Sequence, residues 1–177
     1  MAHPGPPATL DLDELFSATY EELRRLAASV RRGDPGVTLS PTALVNEAWI
    51  KLADCPPAGV TSRLHFTRIA ARAMRQVLIE AARRRNAHKR GDGIALVTFD
   101  DSLECAPAGA DELLALDAAL EELNRLNPRQ AMMVECRFFG GLDVRETAAL
   151  LEVSEATVLR DWRAARAWLA QELGPAA

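Results

Sequence analysis

Aromatic residues are scarce in this chain, at 5% of its residues, and strand-like patterning is almost absent. With hydrophobic residues at 49% and so few rings among them, the composition predicts compact helical cores built of alanine and leucine. Cysteine is nearly missing too. Cys55, Cys105 and Cys136 are odd in number, widely separated and contain no Cys-x-x-Cys pair, which argues against a disulfide framework or a zinc site and suits a reduced cytoplasm. His3, His65 and His88 are not clustered with carboxylates or cysteines at ligand spacing, so no metal, no cofactor and no catalytic constellation is expected. No apolar run approaches the ~20 residues that span a bilayer. The opening MAHPGPPATL lacks the charged and apolar regions of a signal peptide, and residues 1–10 read as a loose tail.

Positive charge is also short overall. The formal net charge is −4 and the pI about 5.4, which by itself argues against a general binder of nucleic acid. The average hides a division. Residues 1–90 carry 14 basic and 9 acidic side chains, whereas residues 91–177 carry 7 basic and 16 acidic ones. Between Arg63 and Arg90 there are nine arginines or lysines and one acid, Glu80, so the positive field is concentrated where a polyanion would bind. A solvated basic helix end is the plainer reading of that run.

What is present is helical punctuation, most informatively between Gly140 and Leu169. Asp143 and Glu146 stand at the spacing of a capping box ahead of one short helix. Glu152-Val153-Ser154 makes a turn, and Ser154 caps a second helix whose inward stripe is Val158, Trp162, Ala165 and Leu169. This is the spacing of a helix-turn-helix that reads DNA. Its outward residues include Glu155, Ala156, Thr157, Arg160, Arg163 and Arg166. Thr157 and Arg160, near the N-terminus, are candidate base readers, and Arg163 and Arg166 are candidate phosphate contacts. An ordinary helical hairpin with a basic edge has the same caps.

Four helical segments are expected before Gly91. The first, Asp11 to Val30, has an apolar face of Leu12, Leu15, Tyr20, Leu23, Leu26 and Ala27. Ser40 caps a second, with Pro41 at its first position and a stripe of Leu44, Val45, Ala48, Trp49 and Leu52. Leu64 to Arg85 reads as one long helix or as two with a break near Arg75-Gln76, with Phe66, Ile69, Ala73 and Val77 on one face and Arg68, Arg72 and Arg75 on another. Residues 91–110 lack helical periodicity and read as a linker. Beyond it lies an amphipathic helix through Leu113, Leu116, Leu120, Leu123 and Leu126, then a start signal at Asn127-Pro128 for a helix reaching about Phe139. The expectation is all-α: a first domain over 11–90, a flexible linker, and a second domain over 111–173.

The segments SPTALVNEAWIKL, HFTRIAARAMRQVLIEAARRRNAHKRG, LDAALEELNRLNPRQAMMVECRFFGGL and VRETAALLEVSEATVLRDWRAARAWL closely resemble bacterial RNA polymerase sigma factors of the extracytoplasmic-function (ECF) group, over about Leu10 to Leu173. The resemblance implies a non-enzymatic factor that joins core RNA polymerase to promoter DNA. Its first domain, region 2, would bind the polymerase clamp helices through Asn46, Glu47, Ile50 and Lys51. The same domain would melt and read the −10 element through Arg68, Arg72, Arg75 and Arg83, in a basic groove able to hold a displaced strand. Its second domain, region 4, would bind the −35 element and the polymerase flap.

Two departures from the group's pattern stand out. The better-known members place an asparagine shortly after an Ile-Ala-Arg triplet, where this chain has Arg68-Ile69-Ala70-Ala71-Arg72-Ala73-Met74. Many members begin the core-binding helix with acids, where this chain has Ser40-Pro41-Thr42-Ala43. A phosphate added to Ser40 or Thr42 by a Ser/Thr kinase would suit that helix N-terminus and is expected to strengthen core binding. The plainer reading leaves Ser40 a cap and Thr42 an exposed first-turn residue. A separate anti-sigma factor is a further candidate partner. The acidic second half is also able to fold against Arg63 to Arg90 and mask them. The rival function is a free-standing helix-turn-helix regulator whose helical first domain senses a ligand or dimerises.

Overall fold

The computed structural model describes residues 11–31, 39–57, 59–88 and 109–174, with the side chains of 29–31 and 88 not described. Seven helices run through them in order: α1 (Leu12–Arg31), α2 (Pro41–Asp54), α3 (Arg63–His88), α4 (Ala110–Leu126), α5 (Pro128–Phe138), α6 (Val144–Leu151) and α7 (Glu155–Leu173). No strand occurs among the described residues, so the all-α expectation holds. The expected tail, 1–10, and all but the last two residues of the expected linker lie outside them. Of those two, Ala110 is already helical.

Local chemistry sets most helix starts. Ser40 Oγ accepts the Ala43 N–H at 3.1 Å, with Pro41 just inside the helix where its missing N–H costs nothing. Asn127 Oδ1 accepts the Gln130 N–H at 3.2 Å and opens α5 in the same way, again ahead of a proline. Ser62 Oγ accepts the His65 N–H at 3.1 Å, which starts α3 at Arg63, one residue earlier than the pattern of apolar residues indicated. Nothing between Arg63 and His88 is Gly or Pro, and α3 is a single continuous helix with no break at Arg75-Gln76. At its far end α5 gives way at Gly140-Gly141. A Cβ on Gly140 would lie 2.3 Å from the Cys136 carbonyl oxygen, and Gly141 has φ +60°, where only glycine is unstrained.

α1, α2 and α3 pack on Leu23, Ala27, Leu44, Val45, Ala48, Phe66 and Met74, all buried. Trp49 is half-buried and stacks on Phe16, ring centroids 4.3 Å apart at 18°. The remaining helices enclose Leu116, Leu120, Leu123, Met133, Val134, Val158, Ala165 and Leu169. Each of these larger side chains contributes about 1.5–3 kcal/mol by leaving water. Leu126 departs from its expected stripe and is 62% exposed, because the chain bends away at Asn127-Pro128 before another turn can cover it.

The two groups of helices also touch. α3 lies against α4 and α5, and one continuous set of buried side chains runs through both. Ile79 of α3 and Leu120 and Ala131 of α4 and α5 line one side-by-side contact, and a Cβ added to Gly141 would strike Leu26 of α1 at 2.1 Å. A long basic helix thus has its middle turns covered by the acidic half of the chain.

Candidate nucleic-acid interface

The pair α6 and α7 is built as the capping residues dictate. Asp143 Oδ1 accepts the Glu146 N–H at 2.7 Å and Glu146 Oε2 accepts the Asp143 N–H at 3.0 Å, a closed capping box. Glu152 takes φ +54°, a left-handed turn that lets Val153 donate to the Ala148 carbonyl and reverses the chain. Ser154 Oγ then accepts the Thr157 N–H at 3.2 Å to start α7.

Val158, Ala165 and Leu169 face the core, and Trp162 is half-buried on the same side. Glu155, Ala156, Arg160 and Arg163 are exposed, Thr157 is half-buried with its hydroxyl 2.9 Å from that of Ser154, and Arg166 is half-buried. The first turns of α7 therefore present two acceptor-capable groups, an apolar Leu159 that is 41% exposed, and two guanidinium groups along one ridge. Such a ridge fits a major groove, where side chains near a helix N-terminus reach base edges and arginines further along meet phosphates.

Three residues behind this ridge escaped the sequence reading. Asp161 is buried in the inward stripe, one turn beyond Val158, and is held by Arg129 Nε and Nη2 of α5 at 3.0 and 2.6 Å. It also accepts from Arg160 Nε at 3.2 Å, so one carboxylate fixes a candidate base reader and ties α7 to α5. The signal was available: an acid at the i+3 position of an apolar stripe needs a cation. The third, Arg137, lies with its guanidinium 4.4 Å over the Trp162 ring, while its buried Nε and Nη1 have no hydrogen-bond partner. Burial pulls its pKa down and the Asp143 charge pulls it back up.

The four arginines expected for the −10 element share α3 and are not equally open. Arg72 is exposed. Arg68 is half-buried with Nη1 3.2 Å from the Met132 sulfur. Arg75 is 15% exposed, donating from Nε and Nη2 to Asp117 and from Nη1 to Glu135 at 3.1 Å. Arg83 reaches Asp117 at 3.6 Å. These side chains line a cleft of about 910 Å³ between α3 and α4–α5.

On α2, Asn46, Glu47 and Ile50 are exposed, Ile50 at 52%, and form an uncovered ridge. Lys51 is half-buried and paired with Glu80 of α3 at 2.8 Å, so it braces α2 on α3. Ser40 and Thr42 are both exposed at the start of that helix, with the Ser40 hydroxyl already used as a cap. No group of His, Cys, Asp and Glu among the described residues is arranged to hold a metal, and no described helix is long and apolar enough to cross a membrane.

A family model described as ECF sigma factor matches residues 9–174. Comparison with curated proteins and with solved structures returns no match.

Proposed function

The chain belongs to the ECF sigma factor family, and from that membership in a family of transcription initiation factors we propose that it binds core RNA polymerase and directs initiation at a particular set of promoters. The observation that carries the reading is the α6–α7 pair, closed by a capping box and a serine cap, with Glu155, Thr157, Arg160 and Arg163 along one outer ridge. In this reading the ridge, with Ala156 and Arg166, engages the −35 element. Arg68, Arg72, Arg75 and Arg83 engage the opened −10 element, where a basic groove holds the backbone of a single strand. The exposed Asn46, Glu47 and Ile50, with Lys51 beside them, meet the polymerase clamp. No catalytic role is assigned to any residue.

Control at α2 is part of the proposal. The first turn of α2 contains no acid, and both Ser40 and Thr42 are exposed there. A phosphate on Thr42 would lie at a helix N-terminus, where negative charge is favoured, and would leave the Ser40 cap intact. Thr42→Glu is expected to tighten core binding, and an unchanged affinity for both that variant and kinase-treated protein would overturn this part. An anti-sigma factor covering the same ridge is the alternative control, detected as a chain that blocks core binding at equimolar ratio.

The test of the whole is titration of the fluorescently labelled chain with core polymerase lacking any sigma subunit. Saturable one-to-one binding is expected, followed by promoter-dependent transcription. Promoter duplex binding by the free chain with no affinity for core, phosphorylated or not, would instead mark a free-standing regulator.

A further inference from the structure

One large apolar side chain of α7 is left in water without a packing reason. Leu159 is 41% exposed and takes no part in the buried cluster that Val158, Ala165 and Leu169 of the same helix join. Ile50 and Leu126 are the other large apolar side chains left this open among the described residues. The bend at Asn127-Pro128 explains Leu126, and Ile50 belongs to the α2 ridge, but nothing in the packing of α7 explains Leu159. Residues three and four apart on a helix are neighbours, so Leu159 lies beside Glu155, Ala156 and Arg163, all exposed. Ala156 contributes only a methyl. The two side chains make a small apolar patch one turn into α7, with a carboxylate toward the helix start and guanidinium groups toward its end. The polar neighbours are tied back from it. Arg160 Nε donates to Asp161 Oδ1 at 3.2 Å, and the Thr157 hydroxyl lies 2.9 Å from that of Ser154.

We propose that Leu159, with the Ala156 methyl beside it, reads the 5-methyl group of a thymine in the major groove of the promoter duplex. The proposal rests on the α7 ridge being a DNA-reading surface. In that groove the base pairs differ in their hydrogen-bonding edges, and thymine alone adds a projecting methyl. A hydrocarbon side chain offers nothing to a carbonyl or an amine, but it covers that methyl and sheds water with it. An adenine or cytosine in the same place would turn an amine toward Leu159 and lose its water without gaining a hydrogen bond. Charge selects duplex DNA as the occupant. Arg163, exposed one turn further along, is placed for the phosphates that border the groove, and an apolar protein surface would not match it. Leu159 thus acts on which promoters are chosen, through a T·A pair at one fixed place in the −35 element, rather than on how tightly DNA in general is held.

The test starts from a pool of duplexes with a randomised segment, from which the full native chain bound to core polymerase selects its preferred sequence. Each dT of the selected duplex is then replaced singly by deoxyuridine, which removes the methyl and leaves the hydrogen-bonding edge intact. At one position the native chain is expected to lose about fourfold in affinity, the factor that goes with one methylene-sized group taken from water. Leu159→Ala is expected to bind the thymine duplex more weakly by a similar factor and to lose nothing further at that position, so that the two changes are not additive. Absence of any position whose loss disappears in Leu159→Ala overturns the methyl contact. Weaker core binding by Leu159→Ala with an unchanged response to deoxyuridine assigns the side chain to the polymerase and overturns it too. Should Leu159→Ala lose helix content by circular dichroism, Leu159→Gln takes its place with the same expectation. If core is not bound, the free chain makes the selection, and a methyl-dependent loss there leaves the thymine contact standing while the sigma reading fails. A chain that binds core and selects a duplex without any methyl effect gives the reverse. A pool from which neither form selects a sequence overturns both.

Discussion

At the scale of single residues, burial decides which groups are chemically available. Cys136 is fully buried, and burial first, with the adjacent Glu135 charge second, pushes its thiol up to about 12, against a smaller downward pull from Arg68. Alkylation of the folded chain is expected to modify the exposed Cys55 and to leave Cys136 unmodified until denaturant is added, read by peptide mass. His65 is held below its ordinary value of 6.5 by burial and by the Arg68 charge. Its neutral form is therefore favoured in the folded state, and the unfolded chain takes up the proton first as pH falls. Stability that is complete above about 6.5 declines as pH drops through that value toward the folded pKa, and His65→Gln is expected to flatten this part of the acid profile. Asp161 presents a sharper case, because it joins Arg129 to the candidate base reader Arg160. Asp161→Ala should cost about 1 kcal/mol in a thermal melt, since both arginines can still reach water. It should also weaken −35 duplex binding more than that loss explains, while Asp161→Glu restores part of it; equal binding by all three chains would remove Asp161 from the site.

At the scale of elements, short helices depend on their ends. α6 spans only Val144–Leu151, too short to persist on propensity alone, so the capping box at Asp143 and Glu146 and its packing hold it. Ser154→Ala removes the side-chain acceptor for the Thr157 N–H and is expected to lower stability by about 1 kcal/mol in chemical denaturation. Glu152 bears the opposite kind of cost, since a side chain at φ +54° crowds its own backbone. Glu152→Gly should raise stability by about 0.5–1 kcal/mol, and a loss instead would mean that its side chain makes a contact outweighing the strain. These starts were legible in the sequence because caps act over three or four residues. The start of α3 is less so: Ser62 has neither the following proline of Ser40 and Asn127, nor the answering glutamate of Asp143, nor the short turn between two apolar stripes that marks Ser154.

At the scale of the whole molecule, the contact of α3 with α4 and α5 makes one cooperative unit of the described helices. Scanning calorimetry is expected to give a single transition for the native chain and a single one at lower temperature for Asp117→Asn with Glu135→Gln, because the ion pairs are lost while the buried side chains that run from α3 into α4 and α5 remain. Two transitions in the native chain would show that the seam is weaker than either half. The sequence by itself determined where the helices lie to within about three residues, their apolar stripes and the exposed ridge at Glu155, Arg160 and Arg163, since periodicity and capping are local properties of the chain, but it left open whether α3 was one helix or two. It also located the positive charge between Arg63 and Arg90. Only the tertiary structure decided which of those arginines are open. Arg72 and Arg75 are one turn apart on the same helix and equivalent to any local rule, yet one faces water and the other is enclosed by Asp117 and Glu135, 42 and 60 residues further along. The same distance hid the pairing of Arg129 with Asp161 and left Leu126 bare at a bend. Such partners are chosen by how whole helices pack, where charge and shape are matched across the fold rather than along the chain.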